Sequence, residues 1–258
     1  MATLLLRGVP IGTIQGVLFD KDGTLSHSEP HLLDLAERRI QIAEELWNCQ
    51  APSPKEENTL GPMLRRAFGI QGEQLHPGGT LAVAARQDNL TTMATVFCLH
   101  GCSWPGAIAL AQSCFDQCDQ QEQDRNSISP LLDGAEELLR SVHSKGITNA
   151  IISNDTRAGI HAFLQHHGLS HLIAACWSAD DSPRKPDPAA VLSLCARMGL
   201  DPEECALIGD AETDLQMAAA AGIRLVIGYG GGWALTPELP SATHWLDNWA
   251  EMGLEADP

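Results

Sequence analysis

Asp20 and Asp22 stand two positions apart in Phe19-Asp20-Lys21-Asp22-Gly23-Thr24, directly after the apolar run Val17-Leu18-Phe19. Two carboxylates this close repel one another unless a cation lies between them, and hard, charged oxygen ligands suit Mg²⁺. The apolar run reads as a short buried strand, and Gly23 lets the chain turn sharply away from its end. Ligands of open α/β sheets bind beyond the carboxyl ends of the strands, which would set both acids against a substrate. Taken alone, the fragment fits an Asp-Gly turn with an extra surface acid equally well.

Three further stretches lie beyond expected strands. Ile151-Ile152 leads into Ser153-Asn154-Asp155, a hydroxyl and an amide at a helix N-terminus, where backbone N–H groups favour an anion. Arg184-Lys185-Pro186-Asp187-Pro188 puts a cation on a stiff loop that opens a helix at Pro188. Gly209-Asp210-Ala211-Glu212-Thr213-Asp214 supplies two more acids. Singly, Ser153 could cap a helix, Lys185 could be a surface cation, and Asp210 and Asp214 could cap the helix after them. Together, acid, hydroxyl, cation and acid at four consecutive strand mouths are hard to obtain by chance.

The elements that must position these groups alternate. Residues 3 to 19 read as strand, turn (Val9-Pro10-Ile11-Gly12) and strand. Beyond Leu131, Asp133 is expected to cap a helix running through Ser144, with Gly146 as its stop. Strands follow at 147–153, 173–178, 206–208 and 224–227, separated by helices at 156–168, 188–199 and 214–221. Alternation of this length predicts a doubly wound α/β fold with a parallel sheet covered on both faces, a Rossmann-like core. This core comprises residues 1–25 and 130–258. Between them, residues 26–129 show no convincing strand alternation and read as an all-helical insert. Its helices are expected near 30–46, 57–68, 80–87, 89–99 and 105–118, with a Pro-rich break at 51–54 and a polar exit at 117–126.

Composition narrows the partners. A formal net charge of −17 over 258 residues argues against nucleic acid, which needs clustered Lys and Arg. An anionic substrate would then be drawn in by local positive charge or metal, not by the field of the whole molecule. The apolar start Met1–Leu6 is too short for a signal peptide, and the uncharged stretch 89–115 is broken by Gly and Pro, so no membrane span is expected. Eight Cys occur without a Cys-x-x-Cys, and Cys98-Leu99-His100-Gly101-Cys102 lacks a fourth zinc ligand. Reduced core thiols and a cytoplasmic location are the expectation. The Gly228–Gly232 run is expected to be a flexible turn, and Lys21, Arg65, Arg66 and Arg86 to face solvent.

With the four motifs in order, the chain resembles the haloacid dehalogenase-like hydrolase superfamily over nearly its whole length. The continuation Leu25-Ser26-His27-Ser28-Glu29-Pro30 is similar to that family's passage into a helical cap inserted after the first motif. The resemblance implies that Asp20 is the nucleophile and Asp22 the general acid/base. It implies that Ser153, Asn154 and Lys185 hold the phosphoryl oxygens, and that Mg²⁺ is bound by Asp20, Asp210 and the main-chain carbonyl of Asp22, with Asp214 as ligand or support. The expected activity is a Mg²⁺-dependent phosphatase acting on a small phosphorylated metabolite through an aspartyl-phosphate. Phosphoglycolate phosphatase-like activity is the nearest the resemblance suggests, in a monomer or small homo-oligomer. A phosphosugar mutase of the same superfamily and a catalytically idle phosphometabolite-binding module stay open. His27 departs from the acid common at its place, and Ala211 from the Ser.

Overall fold

The computed structural model describes residues 1–50, 59–125 and 128–256. The chain divides into two compact units, Met1–Ser28 with Ile128–Pro258, and Glu29–Ser127. The Pro-rich break at 51–54, positions 57 and 58 of the second expected helix, and Asn126 lie outside the described residues.

The first unit opens with β1 (Ala2–Leu6), β2 (Val9–Ile14) and β3 (Gly16–Phe19). In the second unit follow α1 (Glu29–Gln50), α2 (Leu60–Phe68), β4 (Ile70–Gln71), β5 (Gln74–Leu75), α3 (Thr80–Val83), α4 (Arg86–Leu99) and α5 (Trp104–Arg125). The first unit resumes with α6 (Ala135–Ser144), β6 (Thr148–Ile152), α7 (Arg157–His166), β7 (Ile173–Trp177), α8 (Pro188–Met198), β8 (Cys205–Gly209), α9 (Glu212–Ala220), β9 (Leu225–Tyr229), β10 (His244–Leu246) and β11 (Met252–Ala256).

Six strands form one parallel sheet in the order β10-β9-β8-β3-β6-β7. The strand β3 lies at its centre, with Phe19 level with Ile151 on one side and Ile208 on the other. All four of its residues are buried, as a strand covered on both faces requires. Side chains alternate between the faces. Val17 and Phe19 pack with Leu138, Leu139 and Val142 of α6 and Ile160 and Phe163 of α7. Leu18 packs oppositely, with Val191 and Leu194 of α8 and Leu215 of α9. The chain winds from β3 outward through β6 and β7, then returns to β8 and winds the other way. The switch point between β3 and β8 is where such sheets bind ligands, and Asp20 and Asp210 lie there.

Several expectations need correction. Val9–Ile14, read partly as a turn, is a strand paired with β1. The actual turn is Arg7-Gly8, both at positive φ (51° and 77°), the backbone that a tight two-residue hairpin favours. Pro10 is tolerated because β2 is the edge of a separate antiparallel sheet, β11-β1-β2. The strands β10 and β11 were not expected from the sequence; β10 is three residues long, and β11 carries Gly253 and Glu255 within its run. Asp133 does not cap α6; Gly134, at φ 85°, occupies that position without a side-chain cap. Among the described residues, the regular structure of the second unit is helical apart from the two-residue strands β4 and β5.

Behind β3, Trp249 stacks on Tyr229 with ring centroids 4.4 Å apart and meets Phe19 edge-on at 6.0 Å. This aromatic group backs the strand that carries Asp20. Phe19→Ala would cost about 3–5 kcal/mol by the cavity it opens.

Candidate active site

Asp20, Ser153 and Asp210 directly follow strands of the large sheet, Lys185 lies on the loop after β7, and Asp214 lies in the first turn of α9. Asp20 follows β3, and its N–H donates to the Ile208 carbonyl at 2.9 Å, which ties it to the rim of β8. Asp210 follows β8 and is 2% exposed. Lys185 comes from the loop after β7, which is closed by side chains. Trp177 Nε1 donates to the Pro183 carbonyl at 2.8 Å. Asp181 accepts from the Ser178 N–H and hydroxyl at 2.9 and 2.8 Å. Burial alone would raise the Asp181 pKa, but these bonds, Arg197 and Arg157 outweigh it and hold the carboxyl below its ordinary value. Asp187 then caps α8 by accepting from Ala189 N–H at 2.9 Å, with Pro188 in the first turn and Gly199 as the left-handed stop.

The loop delivers Lys185 into the site instead of solvent. Its side chain is 3% exposed, and Nζ lies 2.6 Å from Asp20 Oδ1 and 2.5 Å from Asp214 Oδ2. A third bond runs to the Ile152 carbonyl at 3.3 Å, one residue before Ser153. Burial works against the ammonium charge, yet Asp20 and Asp214 more than offset it and hold the Lys185 pKa above its ordinary value. Asp20 is shifted the other way. Burial raises its pKa well above the usual carboxylate range; Lys185 opposes this, and Asp214 and Asp210 add to it. Asp214 does not cap α9, whose N-cap Ala211 has no side-chain bond.

Asp210 is clasped on both oxygens. The Thr24 hydroxyl donates to Oδ1 and the Trp233 indole N–H to Oδ2, each at 2.6 Å. Burial nevertheless pushes Asp210 up to about 6, against the pull of these two bonds and with Asp214 adding to the rise. Trp233 reaches it because the chain crosses the first motif backbone to backbone. A Cβ on Gly232 would collide with the Gly23 carbonyl, and one on Gly23, at φ 76°, would come within 2.5 Å of both Asp210 Oδ2 and Trp233 Nε1. The Gly228–Gly232 run is therefore a close-packed crossing, not the flexible turn its composition suggested.

Asp22 is half-buried. Its Oδ1 accepts from Lys21 Nζ at 2.7 Å and from the Ser28 hydroxyl at 2.5 Å. Lys21, expected in solvent, is 6% exposed. It also pairs with Asp155 Oδ2 at 3.1 Å and lies 5.4 Å from the Phe163 ring centroid. Burial disfavours its charge, but Asp22 and Asp155 raise its pKa above the ordinary lysine value. Ser153 is 2% exposed, with its hydroxyl oxygen accepting from Asp155 N–H at 3.1 Å; Asn154 beside it is half-buried.

The structure thus ties Asp20, Lys185 and Asp214 directly, links Asp210 to the same first-motif loop through Thr24, and sets Ser153 next to the carbonyl that Lys185 meets. Sequence reasoning missed the partners Thr24, Trp233, Ser28 and Asp155. A bulky N–H donor directly after three consecutive glycines at a strand mouth was the available signal for Trp233. Arg65, Arg66 and Arg86 lie in the second unit; Arg65 pairs with Glu37, and Arg86 with Asp116 and Asp119.

Among the described residues, no three His, Cys, Asp or Glu side chains form a ready-made metal cage. Mg²⁺ does not need one, since it keeps several waters and binds through one or two carboxylates and substrate phosphate. The charge balance fits such an ion: Lys185 pairs with both Asp20 and Asp214, and Asp20 and Asp210, whose pKa values are raised chiefly by burial and further by neighbouring carboxylates, are acids that a cation would help to ionise.

The haloacid dehalogenase-like hydrolase family model matches residues 14–222. A phosphoglycolate phosphatase of Rhodospirillum rubrum is 27% identical over 245 residues, covering 90% of each chain. The crystal structure of a predicted phosphoglycolate phosphatase from Haemophilus somnus superposes with a TM-score of 0.64 at 19% identity, covering 93% of this chain and 97% of that one. A beta-phosphoglucomutase from Clostridium difficile gives 0.59 at 19% identity, over 92% of both chains. The two structures share the fold. With four-fifths of its length matched by the family model, the chain belongs to the haloacid dehalogenase-like hydrolases.

Proposed function

We propose that this hydrolase is a Mg²⁺-dependent phosphoric monoester hydrolase acting on a small phosphorylated metabolite, phosphoglycolate phosphatase-like, through an aspartyl-phosphate on Asp20. The observation that carries this reading is the buried Lys185 ammonium bridging Asp20 and Asp214. A carboxylate attacks a phosphate dianion poorly because like charges repel, and a cation at that point lowers the repulsion.

In the first step an Asp20 oxygen forms a bond to phosphorus as the ester P–O bond breaks, and Asp22 gives its proton to the departing oxygen. In the second, Asp22 takes a proton from water, the water oxygen bonds to phosphorus, and the P–O bond to Asp20 breaks, releasing inorganic phosphate. Lys21 and Ser28 orient Asp22 for both transfers. Lys185 offsets charge on the phosphoryl oxygens, with Ser153 and Asn154 as further donors. Asp20, Asp210 and the Asp22 carbonyl would hold Mg²⁺, which when bound supplies electrostatic stabilisation of the transferring phosphoryl group. The unit Glu29–Ser127, inserted after the first motif, is the candidate source of leaving-group selectivity, a proposal that rests on its place in the sequence.

A panel of phosphorylated metabolites, assayed for phosphate release with Mg²⁺ and with EDTA, tests this reading. Mg²⁺-dependent release of phosphate from a small phosphoester is expected. Hydrolysis undiminished by EDTA, or isomerisation of hexose phosphates without net phosphate release, would contradict it; the second result would mark a mutase. No turnover across the panel would mark a binding module.

A further inference from the structure

We propose that Trp233 is a positioning residue for divalent-cation binding: with Thr24 it locks the Asp210 carboxylate in one orientation, so that the cation meets a ligand already in place. The proposal rests on the reading of Asp210 as a cation ligand. Three observations on this chain carry it.

First, the indole N–H meets Asp210 Oδ2 at 2.6 Å with both residues buried, Trp233 7% exposed. A short charge-assisted bond of this kind restricts a carboxylate more than a neutral one does. Second, each oxygen of Asp210 takes one protein donor, Thr24 on Oδ1 and Trp233 on Oδ2, and a carboxylate oxygen accepts more than one bond. The clasp orients the group without exhausting it. Third, the surrounding packing makes room for the ring. The indole occupies the space that a side chain on Gly23 would fill, and Gly232 lets the chain carrying Trp233 pass against the Gly23 carbonyl. Two glycines in contact thus seat one tryptophan on one acid. Outer partners that orient ligating carboxylates typically change metal affinity about 10–100-fold.

The test is Mg²⁺ binding itself, measured by calorimetry on the full-length protein, the Asp210→Asn variant, Trp233→Phe and Trp233→His. Asp210→Asn should lose binding, and Trp233→Phe should weaken it about 10–100-fold. Trp233→His, which keeps a ring N–H, should recover part of the loss. In the wild type, the ¹⁵N–¹H signal of the Trp233 indole, assigned through its own backbone resonances, should shift as Mg²⁺ is added. Should the substituted proteins not fold, that signal decides alone: movement supports the proposal, and a fixed signal overturns it. If Asp210→Asn abolishes binding while folded Trp233→Phe binds as tightly as the wild type, the role of Trp233 fails and the ligand assignment stands. If Asp210→Asn binds Mg²⁺ undiminished, the ligand assignment itself fails and takes the proposal with it.

Discussion

Lys185 Nζ lies 2.6 Å from Asp20 Oδ1, so the residue proposed to attack phosphorus is held by a cation that arrives from 165 positions away in the sequence. Lys185→Met should reduce kcat by about 10²–10³-fold, the usual loss when one preorganised charge-stabilising donor is removed. Steady-state kinetics with p-nitrophenyl phosphate measure it. A variant within a factor of two of the wild type would separate this bridge from the chemistry.

The pH dependence of stability follows from Asp210. Its pKa is raised from 3.8 to about 6, chiefly by burial. A carboxyl shifted in this direction stabilises the fold while protonated, and that contribution disappears as pH rises through the interval between the two values. In protein stripped of divalent ions, Asp210 should thus remove up to about 3 kcal/mol between those pH values. Asp20, raised for the same first reason, acts in the same sense. Chemical denaturation of the wild type against Asp210→Asn isolates the contribution. Added Mg²⁺ should stabilise the wild type more at pH 7.5 than at pH 5, because a ligating carboxylate must shed its proton.

Lys21 contributes to stability as well as orientation. Lys21→Met removes the cation shared by Asp22 and Asp155, whose side chains are 26% and 29% exposed. Partial solvation tempers the loss, which should reach about 1–3 kcal/mol in urea denaturation. Activity should fall too, since Asp22 loses a partner that orients it. A stability change below about 0.5 kcal/mol would restore the solvent-facing reading.

These cases show what the sequence could and could not disclose. The strand mouths were legible because a short apolar run gives way there to Asp or Ser, and a strand covered on both faces must read as continuous apolar sequence. Asp20 and Asp210 stood out as candidates for that reason, and Lys185 for its place on the Pro-rich loop that opens α8. The burial of the Lys21 side chain was not legible, because a lysine in a polar stretch looks the same whether solvated or paired, and one of its two partners, Asp155, is remote in sequence. The Gly228–Gly232 run has the composition of a loose turn, and only the proximity of Gly23 shows that the missing side chains make room for a crossing. Position along a strand is local information, whereas pairing between loops is not.

Gly232→Ala should therefore be costly in a way a solvent-exposed glycine is not. The new methyl meets the Gly23 carbonyl, a backbone atom that cannot swing aside. A loss of about 1–3 kcal/mol is expected from overpacking, with reduced activity as the first-motif loop shifts. Thermal denaturation and kcat should fall together; an unchanged melting temperature would mean that the crossing has slack.

The central claim is that Asp20 carries the phosphoryl group. Because p-nitrophenolate departs without a proton, Asp22→Asn should still be phosphorylated by p-nitrophenyl phosphate and then stall, lacking the base for water attack. Acid quenching, borohydride reduction of the acyl-phosphate and peptide mass spectrometry should show homoserine at position 20, with Asp210 and Asp214 intact. Homoserine at another acid, or p-nitrophenolate release with no reduced residue at all, would contradict the account.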